Sequence, residues 1–406
     1  MTVTLETIKE AAQSIAGEVV HTPVIHSDAL SEILNTEVFL KLENLQRTGA
    51  FKDRGALAKL KSLEGSANQK GVIAVSAGNH AQGVALHATR LGIPSTIVMP
   101  KDTPFTKVNR TRSMGAHVVL HGDSFNDCTP HAEKLMKKDG LTFVHPFDDE
   151  TIIAGQGTLG LELIETVPDL DAIICPIGGG GLIAGVATAV KAMRSRVEIF
   201  GVQPELFPSM YQAIHGLEST ADGETIAEGI AVKEPGKITR PIIEELVDGI
   251  FLSSELAIES AIETMLDQTK TLVEGAAAAP LAALMEHKTR FAGKKVALII
   301  SGANISSRLL ASILMRSLVR TGRIISLRIS MSDNPGALAS VATHIGETGG
   351  NIVEIVHQRL FYDVPVKSTQ ADIVVETRDQ SHVREIVTRL TAAGFPCRQL
   401  GDTADG

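Results

Sequence analysis

The chain has 406 residues, 44% of them hydrophobic, enough to bury the cores of two or three domains. Its formal net charge is −9, aromatics make up only 3%, and no basic run is interleaved with Phe or Tyr, so no nucleic-acid partner is expected. The stretch from Met1 to Glu10 carries acids and no apolar core, unlike a signal peptide, and runs such as residues 296–300 are far too short to span a membrane. Cys128, Cys175 and Cys397 are widely spaced, which argues against a disulfide framework or zinc site and for a reducing, cytoplasmic setting.

In chain order, short apolar runs at residues 38–42, 71–75, 95–99, 117–120, 172–177, 197–202 and 296–300 read as buried strands separated by helical stretches. One helix has legible ends, with Thr103 as cap, Pro104 in the first helical position and Gly115 closing it. Strand–helix alternation predicts an α/β fold of two parallel-sheet lobes, the smaller at roughly 53–152 within a region 1–320, with a site between them. The pattern changes near Thr321-Gly-Arg323. Residues 325–329 and 371–376 alternate with period 2. Leu338, Val341, Ala342 and Ile345, then Val383, Ile386, Val387 and Leu390, each mark one helical face. With strands at 351–357 and 397–400, residues 324–402 read as a ferredoxin-like β-α-β-β-α-β module.

Several clusters carry chemistry. Gly178, Gly179, Gly180 and Gly181 follow a strand and open a helix that continues through Leu182. Without Cβ atoms, their N–H groups can cradle a phosphate at a helix N-terminus; a tight packing turn would need only two glycines. A dinucleotide fingerprint, Gly179-x-Gly181-x-x-Ala184 with Glu205 downstream, is a less specific match. Lys52, among Thr48, Gly49, Ala50 and Phe51, is either a desolvated nucleophile or an ordinary loop lysine, and spacing alone favours the latter. Ser76, Ala77, Gly78, Asn79 and His80 lie between a strand and a helix beginning near Ala81, a setting for a carboxylate or a plain helix cap. Ser301-Gly-Ala-Asn304 ends a strand, where open α/β sheets place ligands, and reads equally well as a turn with a helix cap. Glu274 reads as a helix-dipole partner, and His145-Pro-Phe-Asp-Asp149 makes little case for a metal.

Taken in order, Thr48-Gly-Ala-Phe-Lys-Asp-Arg-Gly-Ala56, Ser76-Ala-Gly-Asn-His-Ala-Gln-Gly83, Gly155-Gln-Gly-Thr158, Gly178–Leu182 and Ser301-Gly-Ala-Asn304 resemble the fold-type II pyridoxal-phosphate dehydratases, specifically the threonine ammonia-lyases. The tail from Ile324, with Asp333-Asn-Pro-Gly-Ala-Leu338 and Gly350-Asn-Ile352, resembles a single ACT domain. The resemblance implies that Lys52 binds pyridoxal phosphate covalently and later acts as base. Phe51 packs beside the ring, Gly178 to Gly181 with Leu182 hold the phosphate, Asn79 meets the ring hydroxyl, and Ser301 faces the pyridine nitrogen. Residues 76–80 take the carboxylate of an amino-acid substrate. It further implies a homodimer or homotetramer, with an amino-acid effector such as isoleucine or valine near Pro335, Gly336, Ala337, Leu338, Asn351 and Ile352. A plain dimerisation module is the alternative for that tail.

Three departures bear on function. Ala77 stands where racemases of this fold carry a second serine, so racemisation is expected to be poor. Gln203, Phe207 and Ser209 replace the ligands of a divalent-metal loop, so no metal site is expected there. Asp53 follows the lysine and is expected to point away from it. Rival readings are a 3-hydroxyaspartate ammonia-lyase or racemase of the same fold and, less favoured, a non-catalytic amino-acid sensor.

Overall fold

The structure is a computed structural model that describes residues 3–63, 70–357, 365 and 367–400. It divides into two compact units between Ile305 and Ser306. Helix Ser307–Arg320 therefore falls with the C-terminal unit, whereas the sequence pattern placed its residues in the catalytic region. Residues 358–364, 366, 401 and 402 of the expected C-terminal module lie outside the described residues.

The N-terminal unit holds two sheets. The larger runs in the order Val24–His26, Glu37–Leu42, Lys295–Ile300, Ala172–Pro176, Glu198–Pro204, Gly249–Ser253. All its pairings are parallel except that of Val24–His26, an antiparallel edge strand. The smaller sheet is wholly parallel, in the order His117–Leu120, Ser95–Met99, Val72–Val75, Thr142–Phe143. Val296, Ala297, Leu298, Ile299 and Ile300 are all fully buried, as expected of a strand covered on both faces. Each such aliphatic side chain contributes roughly 1.5–3 kcal/mol by leaving water. Pro104 caps rather than starts its helix, Phe105–Ser113, because its ψ of 133° is extended, and Gly115 takes a φ of +96° just beyond the end.

Helix Glu150–Thr166 crosses two others through glycine. A Cβ on Gly155 would lie 2.7 Å from the Gly55 Cα, on helix Lys52–Ser62. A Cβ on Gly157 would lie 2.8 Å from the Gly185 carbonyl, on helix Gly181–Met193. One central helix thus sets the backbone position of both the lysine-bearing helix and the one that follows the glycine run.

The C-terminal unit follows helix Ser307–Arg320 with strand Ile324–Ser332, helix Ala337–Gly346, strands Asn351–Val356 and Ser368–Glu376, helix Gln380–Ala392 and strand Cys397–Leu400. The sheet is antiparallel, with Ser368–Glu376 and Ile324–Ser332 in the centre. Ile325, Leu327, Ile329 and Met331 are buried together with Ala371, Ile373 and Val375, the period-2 faces read from sequence. Val341, Ile345, Val383, Ile386 and Leu390 cover them from the two helices. Among the described residues, no helix is long and apolar enough to cross a membrane.

Candidate active site

Lys52 is the first residue of its helix. Its Nζ donates to the Pro146 carbonyl at 2.6 Å and sits 5.0 Å from the centroid of the half-buried Phe51 ring. Burial pulls its pKa from 10.5 to about 8, partly offset by the charge of Glu274. The desolvated amine is therefore what the fold makes of a residue that spacing alone could not separate from a loop lysine. Asp53 is occupied elsewhere, accepting from the Thr48 amide at 3.1 Å and the Thr48 hydroxyl at 2.5 Å.

Ser301 lies just past strand Lys295–Ile300 and is buried, and its carbonyl accepts from the Phe51 amide at 3.0 Å. The segment before Lys52 is thereby tied to the end of the central strand, a link repeated by the bridge between Ala50 and Gly302. The glycine run approaches from the other side. A Cβ on Gly179 would come 2.3 Å from the Phe147 ring, and one on Gly181 2.8 Å from the Phe147 carbonyl, next to the carbonyl that receives Lys52. Gly180 has a φ of +97° and a Cβ there would meet Thr239 Oγ1 at 2.7 Å, while one on Gly178 would meet Ile230 at 3.2 Å. Packing alone therefore excludes side chains at Gly179, Gly180 and Gly181, more than the two that a tight turn needs, and leaves Gly178 tight. What favours an anion here is that Gly180 caps helix Gly181–Met193 without any side-chain cap, leaving the first-turn N–H groups to a ligand. Leu182 is buried in that first turn.

Ser76, Ala77 and Gly78 form the loop after Val72–Val75, and the helix begins at Asn79, two residues before the expected Ala81. The Gly78 amide donates to Ser76 Oγ at 3.2 Å, and a Cβ on Gly78 would meet nothing within 4 Å, so the loop faces open space. Ala77 packs against the core of the smaller lobe. His80 turns away: it is buried, and its Nε2 lies 2.9 Å from the Val144 carbonyl. Burial, with the Lys52 charge, holds its pKa near 3, so the ring is neutral and donates from Nε2.

Asn79 is held from the larger lobe. Its Nδ2 donates to Glu274 Oε1 at 2.8 Å, and its Oδ1 accepts from Asn304 Nδ2 at 2.6 Å. Glu274 stands at the N-terminus of helix Gly275–Glu286, as its reading as a dipole partner requires, but its carboxylate makes no side-chain cap there and bonds Asn79 and Asn304 instead. Sequence reasoning also passed over Pro146 and Phe147. Their signal was the segment 145–149, set aside as a poor metal motif. In the structure His145 Nδ1 accepts from the Phe147 and Asp148 amides, Asp148 accepts from the amides of Lys237, Ile238 and Thr239, and Asp149 caps helix Glu150–Thr166. At the remaining departure, Gln203 Oε1 accepts from the Tyr211 amide at 2.9 Å.

The expected effector positions lie in the C-terminal unit. Pro335 and Gly336 are exposed ahead of helix Ala337–Gly346, with Ala337 and Leu338 half-buried at its start. Exposed Asn351 donates to Glu376 at 3.1 Å, and Ile352 beside it is half-buried.

A two-lobed α/β unit with a desolvated lysine facing a glycine run defines a cofactor-dependent enzyme of amino-group chemistry. The chain belongs to the pyridoxal-phosphate dependent enzyme family, whose model matches residues 15–302, and pyridoxal phosphate is its cofactor. It is 42% identical to the L-threonine ammonia-lyase of Thermotoga maritima over 401 residues, covering 98% of this chain and all of that one. Among solved structures, the processed form of threonine deaminase isoform 2 from Solanum lycopersicum is 35% identical with a TM-score of 0.74, covering 77% of this chain and 88% of that one. The serine racemase of Dictyostelium discoideum is 36% identical with a TM-score of 0.71, covering 75% of this chain and 100% of that one. The residues present fit the cofactor: a buried amine to hold it and an uncapped helix N-terminus for its phosphate.

Proposed function

We propose that this protein deaminates L-threonine to 2-oxobutanoate and ammonia, and L-serine to pyruvate, by α,β-elimination. The observation that carries this reading is the Lys52 amine, buried and pulled to about 8, tied through Phe51 to Ser301 and through Pro146–Phe147 to the glycine run. Bound pyridoxal phosphate supplies an electron sink for the pair left when the substrate Cα loses its proton. Lys52 holds the cofactor and, once its amine is released, takes that proton. A pKa near 8 leaves a useful neutral fraction at neutral pH. Ser301 would offer the bound cofactor a neutral hydroxyl rather than an acid, which would keep the sink moderate and favour prompt loss of the β-hydroxyl over transamination. The open loop at Ser76–Gly78 orients the substrate carboxylate, with the N-terminus of helix Asn79–Arg90 beside it. Ala77 offers no hydroxyl to act as base on the opposite face, which sets this chain apart from a racemase. Purified protein given L-threonine, L-serine or 3-hydroxyaspartate is expected to release 2-oxobutanoate fastest, without D-serine. Lys52→Ala is expected to lower turnover by about 10³-fold or more. A preference for 3-hydroxyaspartate, appreciable D-serine, or an active Lys52→Ala would overturn the assignment.

The C-terminal unit is read as an ACT module that binds an amino-acid effector such as isoleucine or valine at Pro335–Leu338, Asn351 and Ile352, in a cytoplasmic homodimer or homotetramer serving isoleucine synthesis. The exposed Pro335-Gly336 turn leading into a helix supports this. Turnover measured against isoleucine and valine should lose its sensitivity in Asn351→Ala. Unchanged inhibition curves would reject the site.

A further inference from the structure

Two residues from remote parts of the chain, Glu274 and Asn304, meet at Asn79. Its amide has one oxygen and two N–H groups, and the first partners are fixed: Nδ2 donates to Glu274 Oε1 at 2.8 Å and Oδ1 accepts from Asn304 Nδ2 at 2.6 Å. With Glu274 ionised, turning the amide over would set its NH₂ against the NH₂ of Asn304 and its oxygen against the carboxylate, losing both bonds at once. Asn304 cannot turn over in compensation, because its Nδ2 also donates to the Thr48 carbonyl at 3.0 Å. Glu274 is held in turn by the Asn304 backbone amide, which donates to Oε2 at 3.1 Å.

The surroundings make room for this carboxylate. A Cβ on Gly302 would stand 2.6 Å from Glu274 Oε1, and one on Gly229 3.4 Å from it. The acid is buried and hydrogen-bonded to amides, with no side-chain bond to the helix it precedes. Burying an ionisable group is costly unless its bonds are made. Here those bonds end on an amide that the reading above places beside the cofactor ring.

We propose that Glu274 is a positioning residue for cofactor recognition: with Asn304 it fixes the Asn79 amide so that its remaining N–H is presented to the ring oxygen of pyridoxal phosphate. This rests on the placement of Asn79 at that ring. Glu274 itself touches neither substrate nor cofactor in this scheme, and it acts by removing the alternative orientation of Asn79.

The test is a double-mutant cycle on Asn79→Ala and Glu274→Ala. It reads the affinity of apoprotein for pyridoxal phosphate by fluorescence titration, the visible absorbance maximum of the holoenzyme, and the melting temperature of the apoprotein. Each single variant is expected to bind the cofactor about tenfold more weakly, with the same displaced maximum. The double variant should bind within about twofold of Asn79→Ala alone, because the second change removes nothing the first has left. If Asn79→Ala leaves affinity and spectrum unchanged, the placement of Asn79 fails and takes the proposal with it. If Asn79→Ala has its effect but Glu274→Ala only lowers the melting temperature, or the two losses multiply toward a hundredfold, the proposal alone is overturned. Should Glu274→Ala not fold, Glu274→Gln completes the same cycle, since its amide can accept only one of the two bonds.

Discussion

The two units bury charge in opposite ways. In the catalytic unit Arg54 and Glu43 lose essentially all side-chain exposure, Lys41 does too, and Glu162 keeps 14%. Arg54 forks onto Glu43 at 2.8 Å through both Nε and Nη2, and reaches Glu162 at 2.7 and 2.8 Å. In the C-terminal unit Arg328 makes an equally regular fork to Asp372, at 2.7 and 2.8 Å, but across a strand pair with 25% and 20% of the side chains exposed. The difference follows what each charge has to hold. Alternating buried residues already set the register of the C-terminal sheet, so the ion pair there adds little. Arg54 stands two residues after Lys52, where helix direction alone would not settle the amine's position, and the buried network admits one arrangement.

Arg54→Met breaks the comparison most directly. It leaves Glu43 buried without its guanidinium and Glu162 with only Lys41 as a close cation, and the catalytic unit should lose about 3–5 kcal/mol by urea denaturation followed with cofactor absorbance. A loss as small as that of a surface pair would remove the distinction between the units. The next effect comes from pH. Burial raises the Glu274 pKa from 4.5 to about 7, so the folded state binds this proton more tightly than the unfolded chain. Stability from this group is fully present below pH 4.5 and is lost as pH rises through 7. Lys52 works in the reverse sense, its burial cost disappearing as pH rises from about 8 to 10.5. Between pH 5 and 7 the apoprotein should therefore weaken by an amount on the order of 2 kcal/mol attributable to Glu274, and Glu274→Gln should flatten that slope. An unaltered slope would place the titration elsewhere. The smallest change is expected from Arg328→Met, about 1 kcal/mol or less in the C-terminal transition.

Much of the fold was legible because both common patterns occur here in clean form. Ile325, Leu327 and Ile329 alternate because one face of their sheet meets helices and the other does not. Residues 296–300 form an unbroken apolar run because helices cover both faces. Val24–His26 and Gly249–Ser253 escaped notice, being short and partly exposed edge strands with little periodicity to read. In the site, the local composition of Gly178 to Gly181 suggested a phosphate, while Ser301 read equally well as part of a turn with a helix cap. The bonds of Glu274 had no such signal, because its partners Asn79 and Asn304 are distant in sequence and no spacing rule connects them. The desolvation of Lys52 was equally silent, arising from chain around residue 146.

Helix Glu150–Thr166 touches its two neighbours backbone to backbone, at Gly155 against Gly55 and at Gly157 against Gly185. Side chains can exchange rotamers and drift with temperature, but such contacts have no rotamers to exchange. The spacing between the amine and the helix after the glycine run is thus gauged by covalent geometry, as by a machined shim. Engineers could therefore replace much of the surrounding aliphatic core and still find the amine and that helix in alignment, whereas one added methyl at Gly155 would throw the tool out of true.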